Sequence, residues 1–366
     1  MASRSSDPNP KPATPSAPVN AEVAELTQLN EQLAKLCNRR AELLLRTGDT
    51  RTLRATLTAA GLPELATDSK LSIEHLAPVF RELDSATLSL VARTRVGYLG
   101  PEFSYSHLAA IAQFGQSVEL IPIASIGGVF EAVNRGDATF GLVPIENSTD
   151  GRIVDTLDMF AKLPVKICGE IPIPIHHTLL ASGELGEVRE VQSKPQALSQ
   201  CRNWLARNLP KARLVAASST TAAAEAAAAD PTIAAVASKQ AGINYGLTIL
   251  AENIEDSSDN VTRFAVIGLQ PATRTGRDKT SLMFELAHAP GALADSMNIF
   301  KQNQLNLTWI ESFPKKGSQN EYLFFVELEG HADDEAVRKA IDELTATAER
   351  VEILGSYPRV GAIRGV

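Results

Sequence analysis

Residues 95–123 read RVGYLGPEFSYSHLAAIAQFGQSVELIPI. RVGYL is a short apolar strand closed by Gly100-Pro101, SYSHLAAIAQFG is a helix with a serine-rich start, and VELIPI returns to a strand. Strand, helix and strand at this spacing predict a parallel α/β sheet. The alternation runs on. SIGGVFEAVNRG is a helix and ATFGLVPIEN a strand. Further strands and helices follow through VKICGEIPIPIHHTLLAS, EVREVQS, PQALSQCRNWLARN, ARLVAAS, TTAAAEAAAA, TIAAVAS and RFAVIGL, so the α/β region spans residues 95–271.

On either side the pattern changes. Upstream, AEVAELTQLNEQLAKLCNRRAELLLR (21–46) sets Val23, Leu26, Leu29, Leu33, Leu36 and Leu43 at helical spacing. With helical pieces at 51–60 and 72–93 it predicts a self-contained all-α block over residues 21–94. Residues 1–20, rich in Pro, Ser and Ala and lacking an apolar core, read as a disordered tail and not a secretory signal. Downstream, the polar linker PATRTGRDKT leads into a unit over 280–358 whose elements run β-α-β-β-α-β, the ferredoxin-like split βαβ order. A chain of 366 residues exceeds one ordinary core, so several domains are expected.

Composition narrows the function. Hydrophobic content of 44% with 21% charged residues fits a soluble globular protein, expected in the cytoplasm. A formal net charge of -8 argues against nucleic acid, and no apolar run is long enough to span a membrane. Cys37, Cys168 and Cys201 are widely spaced and form no metal pattern, which fits a reducing compartment and no structural zinc. The tandem His176-His177 lies in a strand-like segment, where adjacent residues face opposite ways and do not chelate one ion easily, so both read as structural. No metal and no cofactor is expected.

Four polar stretches end predicted strands, where open α/β sheets place ligands: LGPEFSYSH (99–107), PIENSTDG (144–151), QSKPQA (192–197) and SDNVTRF (258–264). Ser, Thr and Asn at such places are ordinary helix caps when taken one at a time. Four together, rich in donors and poor in His, Cys or paired carboxylates, point to a small polar anion bound without metal.

These stretches carry a resemblance. GYLGPEFSYSHLAA, GLVPIENSTDGRIVDTLDMF, SKPQALSQC and NVTRFAVIG resemble, in order and spacing, the signature segments of prephenate dehydratases. PGAL and ESFP in the last unit resemble the ligand motifs of the regulatory ACT domain, and the whole chain is similar to bifunctional chorismate mutase–prephenate dehydratases. The resemblance implies a two-lobed, periplasmic-binding-protein-like α/β dehydratase with its site between the lobes. It further implies a homodimer, prephenate as substrate and feedback control by phenylalanine. The reaction is that of a carbon–oxygen lyase.

The resemblance also assigns roles. Thr262 becomes the acid that helps hydroxide leave, and Arg263 a carboxylate or organising contact. Asn147 bonds substrate and Glu146 orients a neighbour, both lining the cleft. Ser193 and Gln196 reach in from the second lobe, Ser104 and Ser106 from the first. Ser148 and Gly151 form an anion-accepting turn, and Phe264 shapes the pocket. Gly291, Ala292, Leu293, Glu311 and Ser312 would meet phenylalanine.

Three departures stand out. Phe103 replaces a customary glycine, which predicts a reshaped turn, and Phe313 replaces the arginine of the ACT motif. In the helical block Arg40 and Arg51 match mutase cations, but Val23 stands where another is expected. A degenerate mutase, retained as a dimerisation element, is therefore the favoured reading, with a fully bifunctional enzyme as the alternative. Arogenate dehydratase is a second alternative, since its substrate differs only by an amino group. A solute-binding protein is a rival from another class, disfavoured by the fused ACT unit.

Overall fold

The computed structural model describes residues 17–46, 48, 69–149, 151–314 and 322–360. The expected helix at 51–60, with Arg51, lies outside them. The chain forms two compact units, Met1–Thr56 and Leu57–Val366.

In the first unit α1 (Ala17–Leu45) starts within the expected tail, because Pro18 is tolerated in a first helical turn. Its stripe of Val23, Leu26, Leu29, Leu33, Leu36 and Leu43 is exposed.

The first described helix of the second unit is α2 (Ile73–Val91). This helix, expected as the last of the helical block, packs against the start of the α/β region. Its Glu82 and Ser85 side chains accept hydrogen bonds from the backbone N–H groups of Gln116 (2.9 Å) and Ser117 (3.1 Å). Gly115 makes the approach possible: its φ is +71°, and a Cβ there would lie 2.5 Å from Ser85 Cβ.

Two sheets build the α/β body. The first uses β1 (Arg95–Leu99), β2 (Glu119–Ile123), β3 (Phe140–Asn147), β4 (Gly151–Arg152), β5 (Lys166–Pro174) and β11 (Val261–Gly268). Its order is β2-β1-β3-β11-β5, with β4 on β3. The second uses β6 (Thr178–Ala181), β7 (Glu190–Ser193), β8 (Arg213–Ala216), β9 (Ile233–Ala237) and β10 (Thr248–Ala251), ordered β10-β6-β9-β7-β8. The chain enters the second lobe after β5 and returns before β11. That return corrects the expectation of a purely parallel sheet. β1, β2 and β3 are parallel, whereas β11 comes back between β3 and β5 and runs antiparallel to both.

The helices that matter for the cleft are α3 (Tyr105–Phe114), α6 (Pro195–Gln200) and α8 (Thr220–Ala229). In chain order α4 (Ile126–Asn134) and α5 (Val154–Phe160) lie between the first two, and α7 (Arg202–Asn208) between the last.

The C-terminal part has the expected β-α-β-β-α-β order in β12 (Asp278–Leu286), β13 (Leu307–Pro314), β14 (Tyr322–Glu329) and β15 (Arg350–Pro358). Its sheet is β13-β14-β12-β15, all antiparallel. One face packs on its own helices through Leu282, Phe284 and Val326. The other joins the core of the first lobe, where Met283, Phe313, Phe325 and Tyr357 pack with Val143, Ile145 and Ile267. The contact is close enough that a Cβ on Gly355 would lie 2.1 Å from Ile167 O. Phe313 thus faces the first lobe, 3% exposed.

Candidate active site

A cleft of about 470 Å³ opens between the two sheets of the α/β body. That size suits a small organic ligand. Thr262 lies at the start of β11 and Asn147 at the end of β3, paired in the strand register. Asn147 Oδ1 accepts from the Thr149 N–H at 3.0 Å, and this fixes the amide so that Nδ2 faces Thr262. Nδ2 then donates to Thr262 Oγ1 at 2.7 Å and to Asn260 Oδ1 at 3.0 Å. A hydroxyl that accepts through oxygen has its own proton left to give. Thr262, 9% exposed, lines the cleft and can give that proton there.

The chain of polar groups continues. Asn260 Nδ2 donates to Gln200 Oε1 at 3.1 Å, and His177 Nε2 lies 2.9 Å from the same oxygen. An acceptor oxygen there makes Nε2 the protonated nitrogen. Nδ1 is 3.2 Å from the Tyr105 hydroxyl, whose one proton goes to His176 O at 2.6 Å. Burial lowers the His177 pKa, outweighing the hydrogen bond to Gln200 and the charge of Glu255, so the ring is neutral.

Helix starts supply further donors. Ser104 caps α3, accepting from the His107 N–H at 3.4 Å, and Ser219 caps α8, accepting from the Ala222 N–H at 2.8 Å. Both line the cleft with Ser106, Thr220 and Gln196. Lys194 brings a cation to it, and none of the described lining residues is a carboxylate. Gly151 lines it with φ +81°, and Phe264, 2% exposed, closes it.

Four expected cleft residues lie elsewhere. Arg263 follows Thr262 on a strand, so its side chain points to the opposite face. There its guanidinium meets Glu146 (3.0 Å), Glu170 (3.0 Å) and Glu327 (2.8 Å) and lies 4.7 Å from the centre of the Trp309 ring. Glu146 goes with it, as the partner of Arg263 Nε. Burial acts to lower the Arg263 pKa, but Glu327, Tyr357 and Glu170 hold it raised. Burial likewise acts to raise the Glu327 carboxyl, but Arg263 and Lys279 hold it below its ordinary value. Ser193 is sealed inside the second sheet, its hydroxyl donating to Val236 O at 2.5 Å. Ser148 ties two loops, donating to Asp259 O and accepting from the Val261 N–H, both at 2.9 Å.

Phe103, expected to reshape the turn where the resemblance puts a glycine, has a left-handed backbone at φ 62°. Its N–H donates to His107 Nδ1 (3.0 Å), and its carbonyl accepts from Ser238 of the second lobe (3.1 Å). These contacts hold a conformation that a side chain disfavours. Sequence reasoning missed Lys194, Tyr105, Gln200, Thr220 and His177. His177 was considered only as a metal ligand, whereas the alternation that separates it from the exposed His176 points it into the cleft. His176 pairs with Glu255 at 2.8 Å.

Gly291, φ +86°, precedes the helix Ala292–Gln302 of the C-terminal part, with Leu293 exposed. On β13, Glu311 is half-buried and Ser312 exposed. Arg40 is half-buried on α1. Among the described residues no group of three or more His, Cys, Asp or Glu is arranged to hold a metal, and no helix is long and apolar enough to cross a membrane.

A two-lobed cleft of hydroxyls, amides and a lysine around a donor threonine, with no carboxylate among its described lining residues, has the make-up of a site that handles a small anion. A family model described as prephenate dehydratase matches residues 96–272. A bifunctional chorismate mutase/prephenate dehydratase of Aquifex aeolicus (strain VF5) is 40% identical over 92% of this chain and 96% of its own. The chain belongs to the prephenate dehydratase family. Its fold is similar to a prephenate dehydratase solved with L-Phe from Arthrobacter aurescens, at TM-score 0.68 and 33% identity, covering 73% of this chain and 90% of that one. It is also similar to a structure described as a novel type of quorum quenching acylase, at TM-score 0.67 and 30% identity, covering 74% of this chain and 100% of that one.

Proposed function

We infer that the cleft converts prephenate to phenylpyruvate, with Thr262 as the proton donor. Prephenate loses its ring carboxylate as CO2 and its ring hydroxyl together. The electron pair of the breaking carbon–carbon bond enters the ring as the carbon–oxygen bond breaks, and aromatisation drives the step. The leaving oxygen takes the Thr262 proton and departs as water, and the threonine is reprotonated from solvent. Asn147, donating to Thr262 Oγ1, stabilises the negative charge that builds on that oxygen. Lys194 and the α8 start with Ser219 and Thr220 are suited to the substrate's carboxylates. Gln196, Ser104, Ser106 and Gly151 complete the polar wall. The observation that carries this reading is the Asn147–Thr262 hydrogen bond in a cleft with no carboxylate among its described lining residues.

The α/β body is a binding-protein-like pair of lobes, and the C-terminal part is an ACT domain that binds phenylalanine through Gly291, Ala292, Leu293, Glu311 and Ser312. The L-Phe complex of the Arthrobacter aurescens relative supports this. Phe313 faces the first lobe and leaves the exposed side of β13 open. The enzyme acts in the cytoplasm as a homodimer.

An acylase needs a nucleophile activated by a base. His177 is the cleft histidine, and its partners are Tyr105 and Gln200 rather than a serine, which disfavours that reading. The helical segment reads as a mutase remnant, with Arg40 kept and Val23 unable to bind a carboxylate. The named bifunctional relative, matched over 92% of this chain, supports the alternative of an active mutase.

Purified full-length protein offered prephenate, arogenate and chorismate separately tests all of these. Phenylpyruvate should form from prephenate and little or none from chorismate. No product from prephenate would contradict the assignment, and chorismate turnover at a similar rate would restore the mutase.

A further inference from the structure

The side of β11 that faces away from the cleft carries a charge cluster that the chemistry does not use. Arg263 donates to Glu146 on β3, to Glu170 on β5 and to both oxygens of Glu327 on β14, the last at 2.8 Å. Lys279 on β12 lies 2.6 Å from Glu170 and 3.0 Å from Glu327. The ion pairs are exchanged: the first lobe gives its arginine to a carboxylate of the C-terminal sheet and receives a lysine for its own Glu170. The Tyr357 hydroxyl (3.3 Å) and Ser281 Oγ (3.4 Å) complete the shell around Glu327, which is 2% exposed. A buried carboxylate held this fully has one place to sit.

Arg263 is joined by a peptide bond to Thr262. Just beyond it the ladder between β11 and β3 slips, passing from Arg263 opposite Glu146 to Phe264 opposite Pro144. The ladder to β5 runs unbroken through both residues, so the ion pairs to β3, β5 and β14 add a side-chain restraint where the β3 ladder is about to slip, next to the place where Thr262 meets Asn147. We propose that Glu327 is a positioning residue for the dehydratase reaction, acting through Arg263 on the place of the Thr262 hydroxyl. The C-terminal sheet is then part of what makes the cleft competent, and a ligand that shifts this sheet reaches the reacting residue through one buried contact. The proposal rests on Thr262 being the proton donor. A displacement of about 1 Å at a reacting group can cost a hundredfold in rate.

The test is Glu327→Gln in the full-length chain, with prephenate as substrate, alone and combined with Thr262→Ala. Alone it should lower kcat about tenfold with KM within about twofold; combined, it should lower the residual rate less than about twofold, because the group it positions is gone. Glu327→Asp, which keeps the charge with a shorter reach, should fall between, and it carries the same comparison if the glutamine variant does not fold. An unchanged kcat, an equal loss in both backgrounds, or a loss that only tracks the folded fraction in thermal melts would overturn the proposal. Failure of the unaltered chain to turn over prephenate would sink the dehydratase reading and this proposal with it. Turnover with an indifferent Glu327→Gln would sink the proposal alone.

Discussion

Thr262 and Arg263 are neighbours in the chain and open opposite faces of one strand onto different chemistry. On the Thr262 side stand amides and hydroxyls in a polar chain from Asn147 to Tyr105, with no carboxylate among the described residues of the cleft. On the Arg263 side three carboxylates close around an arginine and a lysine. An anionic substrate can enter the first side and would be repelled from the second. The pair shows that residues adjacent in a motif need not share a role. On the proposed reading the threonine serves the reaction, and the arginine the frame that holds it.

Breaking the frame should have the largest effect. Arg263→Leu takes the arginine from Glu146 and leaves Glu170 and Glu327 to Lys279, and chemical denaturation should show a loss of about 3–5 kcal/mol. Unchanged stability would mean that the cluster is dispensable. On the other face, Asn147→Ala removes the donor that steadies Thr262, and kcat should fall about tenfold or more with the melting curve nearly kept. If KM rises instead, Asn147 serves binding rather than the acid.

Lys194→Ala sharpens the contrast from the cleft side. An exposed cation contributes little, so KM for prephenate should rise about fivefold with kcat steady. A fall in kcat alone would place its charge at the reacting centre. The smallest effect expected is one of pH. His177 has its pKa lowered by burial from 6.5, so the folded form resists a proton that the unfolded chain takes up. Stability should be level above about pH 6.5 and decline below it. His177→Gln should flatten part of that decline, with His107, also lowered by burial, accounting for some of the rest.

Much of this was legible in the sequence. The strand–helix alternation gave both lobes, because their apolar strands stand out between capped helices, and the four polar stretches gave most of the cleft. Period-two alternation applied to VTRF would have put Arg263 opposite Thr262 and Phe264. The side-by-side motif hid it. Ser193 was lost for the same reason: in EVQS, Val191 and Ser193 are buried together. Other features depend on contacts that no local pattern encodes. Nothing in GPEF shows that Phe103 can hold a left-handed turn, since its support comes from His107 and Ser238. Lys194 reads as a surface residue until the second lobe brings it over the cleft. The return of β11 between β3 and β5 is a matter of topology, and it places Arg263 beside the C-terminal sheet.

The proposed reaction turns on Thr262 supplying the proton that carries the ring hydroxyl away. The direct measurement is phenylpyruvate formation from saturating prephenate by Thr262→Val, which keeps the shape and removes the hydroxyl, beside Thr262→Ser, which restores it. Valine should cost about a hundredfold or more, as for removal of a general acid, with serine retaining most of the rate and all three proteins melting alike. Valine turning over at the wild-type rate would contradict it.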